Sequence, residues 1–437
     1  MWRPAINVAL LLLGAAELVR AQGGSPDPAF AAIPLERWIA EGNPAHIRWS
    51  AKVLPVELSN YQRLEAKVEL QIDGNELVPR RGQGYLGMLV QFSDSENHVY
   101  QTHEALDLQR VTEDAAKSNV SYVQPAFVTP GDYRISVAIL DTATGEHSAV
   151  RLPLHVNPIK NDPLPDSWQG LPAVEFLKHA ESPGDLFLPN IVGRLHVPLE
   201  TRRPIHVQVL VNASPVSAGE PSRSEQVQNR SLVSVIPALK VITNTEIRNG
   251  TLEATLLDLT TQQVIFQQDD VHDLDWPKVA LALKQAGPNV IDVAALKKRR
   301  EAAQFFVSQV RKRVEPGEPR AAGEPLPILI VLSGPMAFES GEDLRPIDVE
   351  GAPPAEVFYM RFHSLPLRPR IDPVQEELAR RRGRIAERSP GLAASSEPVD
   401  SLERTLKPLQ PHLFDIYTPE QFRKALRNVL DEVARSQ

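Results

Sequence analysis

Two periodicities divide the chain. From about Pro34 to Val156, short runs alternate apolar and polar residues and are separated by turn residues. In Lys67 to Ile72, Val68, Leu70 and Ile72 share one face and leave charge and amide on the other, the period of a half-buried strand. Tyr133, Ile135, Val137 and Ile139 repeat the pattern, as do Val150, Leu152, Leu154 and Val156. Asp73-Gly74, Thr129-Pro130-Gly131-Asp132 and residues 141–145 supply turns. The only convincing helix here is short, Leu35 to Ala40. Strand-like runs recurring through about 120 residues predict an all-β sandwich over residues 22–157.

Residues 158–203 are dense in proline and read as an inter-domain connector with one short helix around Ala173 to His179. Then the period changes. Ile205 to Val211 reads as a strand, followed by a Ser-rich loop from Asn212 to Gln226 and a helix from Val227 to Val241. Leu252 to Leu259 and Gln263 to Gln267 read as paired strands. Asp275 is the expected N-cap of a helix over Pro277 to Gln285. A longer helix spans about Ala294 to Val314. Pro327 to Leu332 is a continuous apolar run, as expected of a parallel strand covered on both faces, and Val357 to Phe362 is another. A charged insertion occupies about residues 366–410, before a last strand near His412 to Ile416. Thr418-Pro419-Glu420 opens a helix to Ala434. Strand alternating with helix over residues 204–437 predicts a doubly wound α/β (Rossmann-type) domain, so the chain is multidomain.

Composition narrows the setting. Lys and Arg number 47 against 55 Asp and Glu, a formal net charge of −8, which argues against a general binder of nucleic-acid phosphates. Cysteine is absent, excluding disulfides, thiolate metal sites and any Cys nucleophile. Thirty-nine prolines against 23 glycines fit a chain rich in turns and linkers. Arg3, the apolar run Ala5 to Ala16, and Val19-Arg20-Ala21 match the three parts of a signal peptide, with cleavage expected after Ala21. The apolar run is about a dozen residues, short of the ~20 a membrane span needs. Residues 1–21 are therefore expected to be removed, leaving an exported chain, periplasmic or extracellular, with no stable membrane insertion.

The strand with its Pro-Gly-Asp-Tyr entry and the following Thr-Gly-Glu turn resemble the late strands of fibronectin-III or immunoglobulin-like sandwiches. The second half resembles the von Willebrand factor type A domain. A strand ending in a polar, Ser-containing loop, then a helix, a hairpin, two helices, an apolar strand ending in Ser-Gly and a terminal helix carry that resemblance over roughly residues 200–437. With the leader and the sandwich, the chain is similar to exported von Willebrand A-related proteins of soil bacteria. The resemblance implies a loop Asp-x-Ser-x-Ser, a Thr and a further Asp holding a divalent cation through oxygen ligands. Here Asn212 stands at the position of the first Asp and Ser214 matches the first Ser. Val216 occupies the second Ser position, with Ser217 one place late. Ser333-Gly334 stands where the second Asp belongs. Both carboxylates are missing, so the site is expected to hold no metal and no cofactor. Asn212, Ser214, Ser217 and Ser333 remain as a degenerate ligand-binding site at the C-terminal edge of the sheet.

Other motifs carry less. Gly82-Gln83-Gly84-Tyr85-Leu86-Gly87, with Asp107 twenty residues beyond the last glycine, has dinucleotide-binding spacing, but a strand rather than a helix is expected to follow it. The acids among Asp269 to Asp275 sit where strand-end and helix-start caps belong. Lys297 to Arg300 and Arg311 to Arg313 read as a solvated helix face. There is no GxSxG, HExxH or phosphate loop. The expectation is a non-enzymatic, exported module of the cell envelope that binds an unidentified protein. An adhesion protein gripping an extracellular ligand at the same sheet edge is the second reading, and an unrecognised hydrolase the third.

Overall fold

The computed structural model describes residues 33–41, 47–82, 84–177, 191–214, 231–286, 301–314, 324–336, 355–363 and 400–435. The expected leader 1–21, Ser217, Lys297 to Arg300 and residues 366–399 of the charged insertion lie outside them. The chain is β-rich and divides into two compact units, Met1–Val197 and Pro198–Gln437.

Among the described residues, the first unit holds a helix α1 (Leu35–Glu41), a short helix α2 (Gly74–Leu77) and nine strands. These are β1 (Trp49–Val53), β2 (Glu57–Leu58), β3 (Leu64–Asp73), β4 (Tyr85–Ser93), β5 (Val99–Asp107), β6 (Asn119–Val128), β7 (Gly131–Asp141), β8 (His147–Val156) and β9 (Val174–Phe176). One sheet runs β1-β3-β6-β9 with β2 beside β3, and the other runs β5-β4-β7-β8. All pairings are antiparallel. The alternation seen in the sequence is the reason. Val68, Leu70 and Ile72 of β3 enter one core with Met88, Val90 and Phe92 of β4 and Ile135, Val137 and Ile139 of β7. Burying each such side chain contributes about 1.5–3 kcal/mol.

Three expectations change here. Asp73-Gly74 is no hairpin turn, because the Asp73 carboxylate accepts from Asn75 N–H and caps α2. The expected helix around Ala173 to His179 is strand β9, paired with β6 and laid with Phe176 edge-on to Phe92 at 5.5 Å. The stretch 158–203 is therefore not a free connector: a 3-10 turn at Pro165–Trp168 and strand β9 belong to the first unit, which extends to Val197. The glycine-rich motif opens strand β4, with Gly82 and Gly84 at φ +84° and +69°, and no helix follows to meet a pyrophosphate.

Among the described residues, the second unit centres on six strands: β11 (Ile205–Asn212), β13 (Gly250–Asp258), β14 (Gln263–Gln268), β15 (Leu326–Ser333), β16 (Glu356–Phe362) and β17 (His412–Ile416). Two short strands, β10 (Pro198–Leu199) and β12 (Glu246–Ile247), pair beside them. Its helices are α3 (Leu232–Thr243), α4 (Trp276–Gln285), α5 (Ala302–Val314), α6 (Ser401–Leu406) and α7 (Pro419–Arg435). The sheet order is β14-β13-β11-β15-β16-β17, parallel except for the β13–β14 hairpin. From β11 the chain builds first towards β13 and then, through β15, towards the other edge. The order thus reverses at β11, and the crevice beyond the carboxyl ends of β11 and β15 is where open sheets of this kind place ligands.

Both faces of this sheet are covered, which explains its continuous apolar strands. Leu210, Leu329, Val331, Val357 and Tyr359 face Phe306 and Val310 of α5 and Leu402 and Leu406 of α6. Positions of opposite parity on β16 turn the other way, and Phe362 meets Phe422 of α7 with ring centroids 5.6 Å apart. Thr418 and Gln421 form the capping box that starts α7: Gln421 Oε1 accepts from Thr418 N–H at 3.2 Å and Thr418 Oγ1 from Gln421 N–H at 3.4 Å. Only the end of the charged insertion is described. Its residues 400–410 form α6 and a 3-10 turn, with Leu402, Leu406 and Leu409 buried in the core.

Candidate functional site

Three of the four singled-out residues meet at the switch in strand order. Asn212 ends β11 and Ser333 ends the neighbouring β15, so parallel pairing delivers both to one crevice. Asn212 is 3% exposed and Ser214 and Ser333 are fully buried. The Asn212 Nδ2 donates to Ser333 Oγ at 2.9 Å and approaches Met336 Sδ at 3.4 Å. Its Oδ1 accepts from Ser214 N–H at 3.2 Å and from Ser214 Oγ at 2.6 Å. Ser214 Oγ in turn accepts from Leu259 N–H at 2.8 Å, and Ser333 Oγ donates to the Gly334 carbonyl at 2.6 Å. Each side chain thus satisfies the next, and no charge sits among them. Ser217, the fourth, lies outside the described residues.

Gly334 permits the tight closure of this crevice. A Cβ there would stand 2.5 Å from Ser231 Oγ, just before α3, so any side chain would push the helix start away. The loop after β13 is shaped by a different acid. Asp258, fully buried, accepts from Thr260 and Thr261 N–H at 2.8 and 3.3 Å and from Thr261 Oγ1 at 2.8 Å, which folds the hairpin turn.

Beside the neutral cluster lies a charged one that the sequence did not reveal. Asp400, the N-cap of α6, accepts from Met336 N–H at 3.2 Å, Leu402 N–H at 3.1 Å and Tyr359 Oη at 2.9 Å. Arg361, at the end of β16, reaches Asp400 at 3.3 Å, Glu403 at 2.7 Å and Asp415 at 2.6 Å. His363 Nε2 shares Asp415 Oδ1 at 2.7 Å, and its ring stacks on Tyr417 at 4.2 Å. The Arg361 guanidinium, with His363 behind it, holds the Asp415 carboxyl below its usual range. Burial, then the Asp400 carboxylate, pushes the Tyr359 phenol well above its own. Met336 joins the clusters, since its backbone pairs with Asp400 and Ser401 while its sulfur meets Asn212. The one signal for this network was Asp400-Ser-Leu-Glu403, an N-cap followed by an acid three residues on. It lay within a stretch read as a charged insertion.

The charged side chains of this edge are paired with one another. Arg361 already neutralises three carboxylates, and among the described residues no group of three or more His, Cys, Asp or Glu is placed to hold a metal ion. No helix among the described residues is long and apolar enough to cross a membrane.

No family model matches the chain, and no curated protein matches it either. Solved structures give only distant likenesses. A structural-genomics target, SoR45, is 13% identical over 26% of this chain and 87% of its own, with a TM-score of 0.17. A glycosyl hydrolase family 2 member from Bacteroides cellulosilyticus is 11% identical over 78% of this chain and 40% of its own, at 0.18. A beta-glucuronidase from glycoside hydrolase family 2 is 9% identical over 66% and 31%, also at 0.18. Likeness of that extent carries no inference about either unit.

Proposed function

We propose that the second unit is a von Willebrand A-like module whose cation site has been replaced by a neutral hydrogen-bond network. The exported protein then acts without catalysis, holding a protein partner at the cell envelope through the C-terminal edge of the six-stranded sheet. The observation that carries this reading is Asn212, locked between Ser214 and Ser333 where the strand order reverses. An amide and two hydroxyls that satisfy one another supply no charge to offset the dehydration of Mg²⁺, an ion that takes carboxylate oxygen readily and dehydrates reluctantly. The strand order, with an antiparallel hairpin strand at one edge of an otherwise parallel sheet, also supports it.

The test uses the mature chain and titrates Mg²⁺ and Mn²⁺ by calorimetry, beside an Asn212→Asp/Ser333→Asp variant. No saturable heat is expected from the native chain. Micromolar binding by the native chain overturns the decayed-site reading and makes metal-dependent adhesion the leading one. For the partner, cross-linking in envelope extract is expected to trap a species heavier than the chain. Tyr417→Asp, which alters an exposed ring at the same edge, is expected to weaken that species. A cross-linked species indifferent to this change, or none at all, counts against the edge as the contact surface.

A further inference from the structure

An edge strand presents a row of unpaired backbone groups to solvent, and proteins guard such edges with charge or proline against recruiting a further strand. Among the described residues, the edge strands here are guarded in this way, from Lys52 on β1 and Glu104 on β5 to Pro153 on β8 and Asp415 on β17. Strand β14 is the exception. Its six residues, Gln263-Val264-Ile265-Phe266-Gln267-Gln268, hold neither charge nor proline, and the run leading into them from Leu259 is neutral as well.

This strand is held firmly on its inner side and open on its outer one. It ends the six-stranded sheet and, among the described residues, pairs with β13 alone. Phe266 stands opposite Leu256 and is buried. Gln268 Nε2 donates to the Asp273 carbonyl at 2.9 Å and its Oε1 accepts from Asp275 N–H at 3.0 Å, which ties the strand to the start of α4. Gln263 and Gln267 are exposed, and Val264 is 40% exposed. On α4, which packs beside β14, Leu281 is 56% exposed. The pairing with β13 slips between Leu256 and Leu257, so Ile265 faces no residue of β13. That bulge divides the edge into two short regular stretches, Gln263–Val264 and Phe266–Gln268, and limits how much an added strand gains.

We infer that β14 is a dimerisation edge, where the β14 of a second copy of this chain pairs antiparallel about a two-fold axis. The flanking charges select this arrangement. Asp269 and Asp270 directly follow β14, whereas the turn before it, Thr260-Thr261-Gln262, is neutral. Parallel pairing of two copies would lay the acidic pairs side by side. Antiparallel pairing sets each acidic pair beside the other copy's neutral turn and separates like charges by the length of the strand. Identical strands are self-complementary under a two-fold operation, because outward N–H and C=O groups exchange and each glutamine amide both donates and accepts. A neutral strand has no charge with which to select a basic or an acidic segment, while a second copy brings an equally neutral one. The operation closes, so association stops at two. This edge lies across the sheet from β17, and the inference does not depend on a partner held near Tyr417.

Sedimentation equilibrium on the full chain tests it, at loadings from about 10 µM to about 500 µM, a range suited to a weak contact of one short strand pair. The native chain is expected to pass from monomer towards dimer over that range, with no larger species. Val264→Lys leaves an exposed position exposed in the single chain but brings two ammonium groups into the strand pair, and is expected to raise the dissociation constant roughly tenfold or more. Gln263→Lys, also at an exposed position, is expected to act in the same direction and gives an independent reading if Val264→Lys misfolds. Leu413→Lys, at an exposed position on β17, is expected to leave the dimer as it is. A native chain that stays monomeric throughout overturns the proposal. So does a dimer indifferent to both β14 lysines, or one weakened equally by Leu413→Lys.

Discussion

Asn212 sets the chemistry of the crevice at the carboxyl ends of β11 and β15. Its amide accepts from Ser214 and donates to Ser333 while staying neutral. Asn212→Asp keeps the shape but replaces the Nδ2 donor with a second carboxylate oxygen, buried against Ser333 Oγ and Met336 Sδ. A loss of about 1–3 kcal/mol is expected, the penalty for a buried polar group left without its partner. The denaturant midpoint at neutral pH measures it, and millimolar Mg²⁺ is expected to leave the mutant midpoint unchanged. A midpoint that recovers with Mg²⁺ would show that one carboxylate suffices to restore a cation site. These residues were legible in the sequence because each ends a strand, where local pattern places it. Their hydrogen bonds were not, since Asn212 and Ser333 are 121 positions apart.

Among the elements, the junction of β11, β13 and α5 depends on acid in a way the sequence hid. Glu253 on β13 lies 3.8 Å from His206 Nε2 on β11 and 3.1 Å from Arg313 Nη2 on α5, and accepts from Thr255 Oγ1 at 2.9 Å. His206 first, then Thr255 and Arg313, hold its carboxyl down at about 2 against the opposing effect of burial. A depressed carboxyl stabilises the fold above its ordinary value of 4.5, and that contribution is lost as pH falls from there towards 2. Unfolding followed in denaturant between those limits is expected to show the second unit losing stability more steeply in the native chain than in Glu253→Gln. Equal slopes would mean the cluster is already broken in solution. Arg313 illustrates the difficulty. It read as part of a solvated basic face of a helix, yet it is 8% exposed and turned to the sheet. Beside it, β15 and β16 were plain as continuous apolar runs. Strand β9 was obscured by the prolines of the stretch around it, and α6 by the charged residues preceding it.

For the protein as a chain, the expected leader carries its own prediction. Expressed in a bacterium with residues 1–21 intact, the exported form is expected to begin at Gln22, as intact-mass measurement would show. A full-length species retained in the membrane fraction would instead mark the apolar run as an anchor. A chain without cysteine has no disulfide to hold it, and the two units supply separate cores, one between antiparallel sheets and one on the faces of a mostly parallel sheet.

Period-2 alternation, continuous apolar runs and capping residues act within a few positions of one another, so strands such as β3, β7, β8, β11, β15 and β16, the short α1 and the start of α7 could be read without coordinates. The absence of both carboxylates near Asn212 and Ser333 was equally plain. Strand order, and hence which strand ends share a crevice, was not, because parallel pairing joins segments a hundred or more residues apart and leaves no local mark. The same holds for Asp400 beneath Tyr359, for Glu175 on Arg63 across 112 positions, and for His147 against Trp38. Buried polar groups take whatever partner the packing brings to them, and only packing determines which one that is.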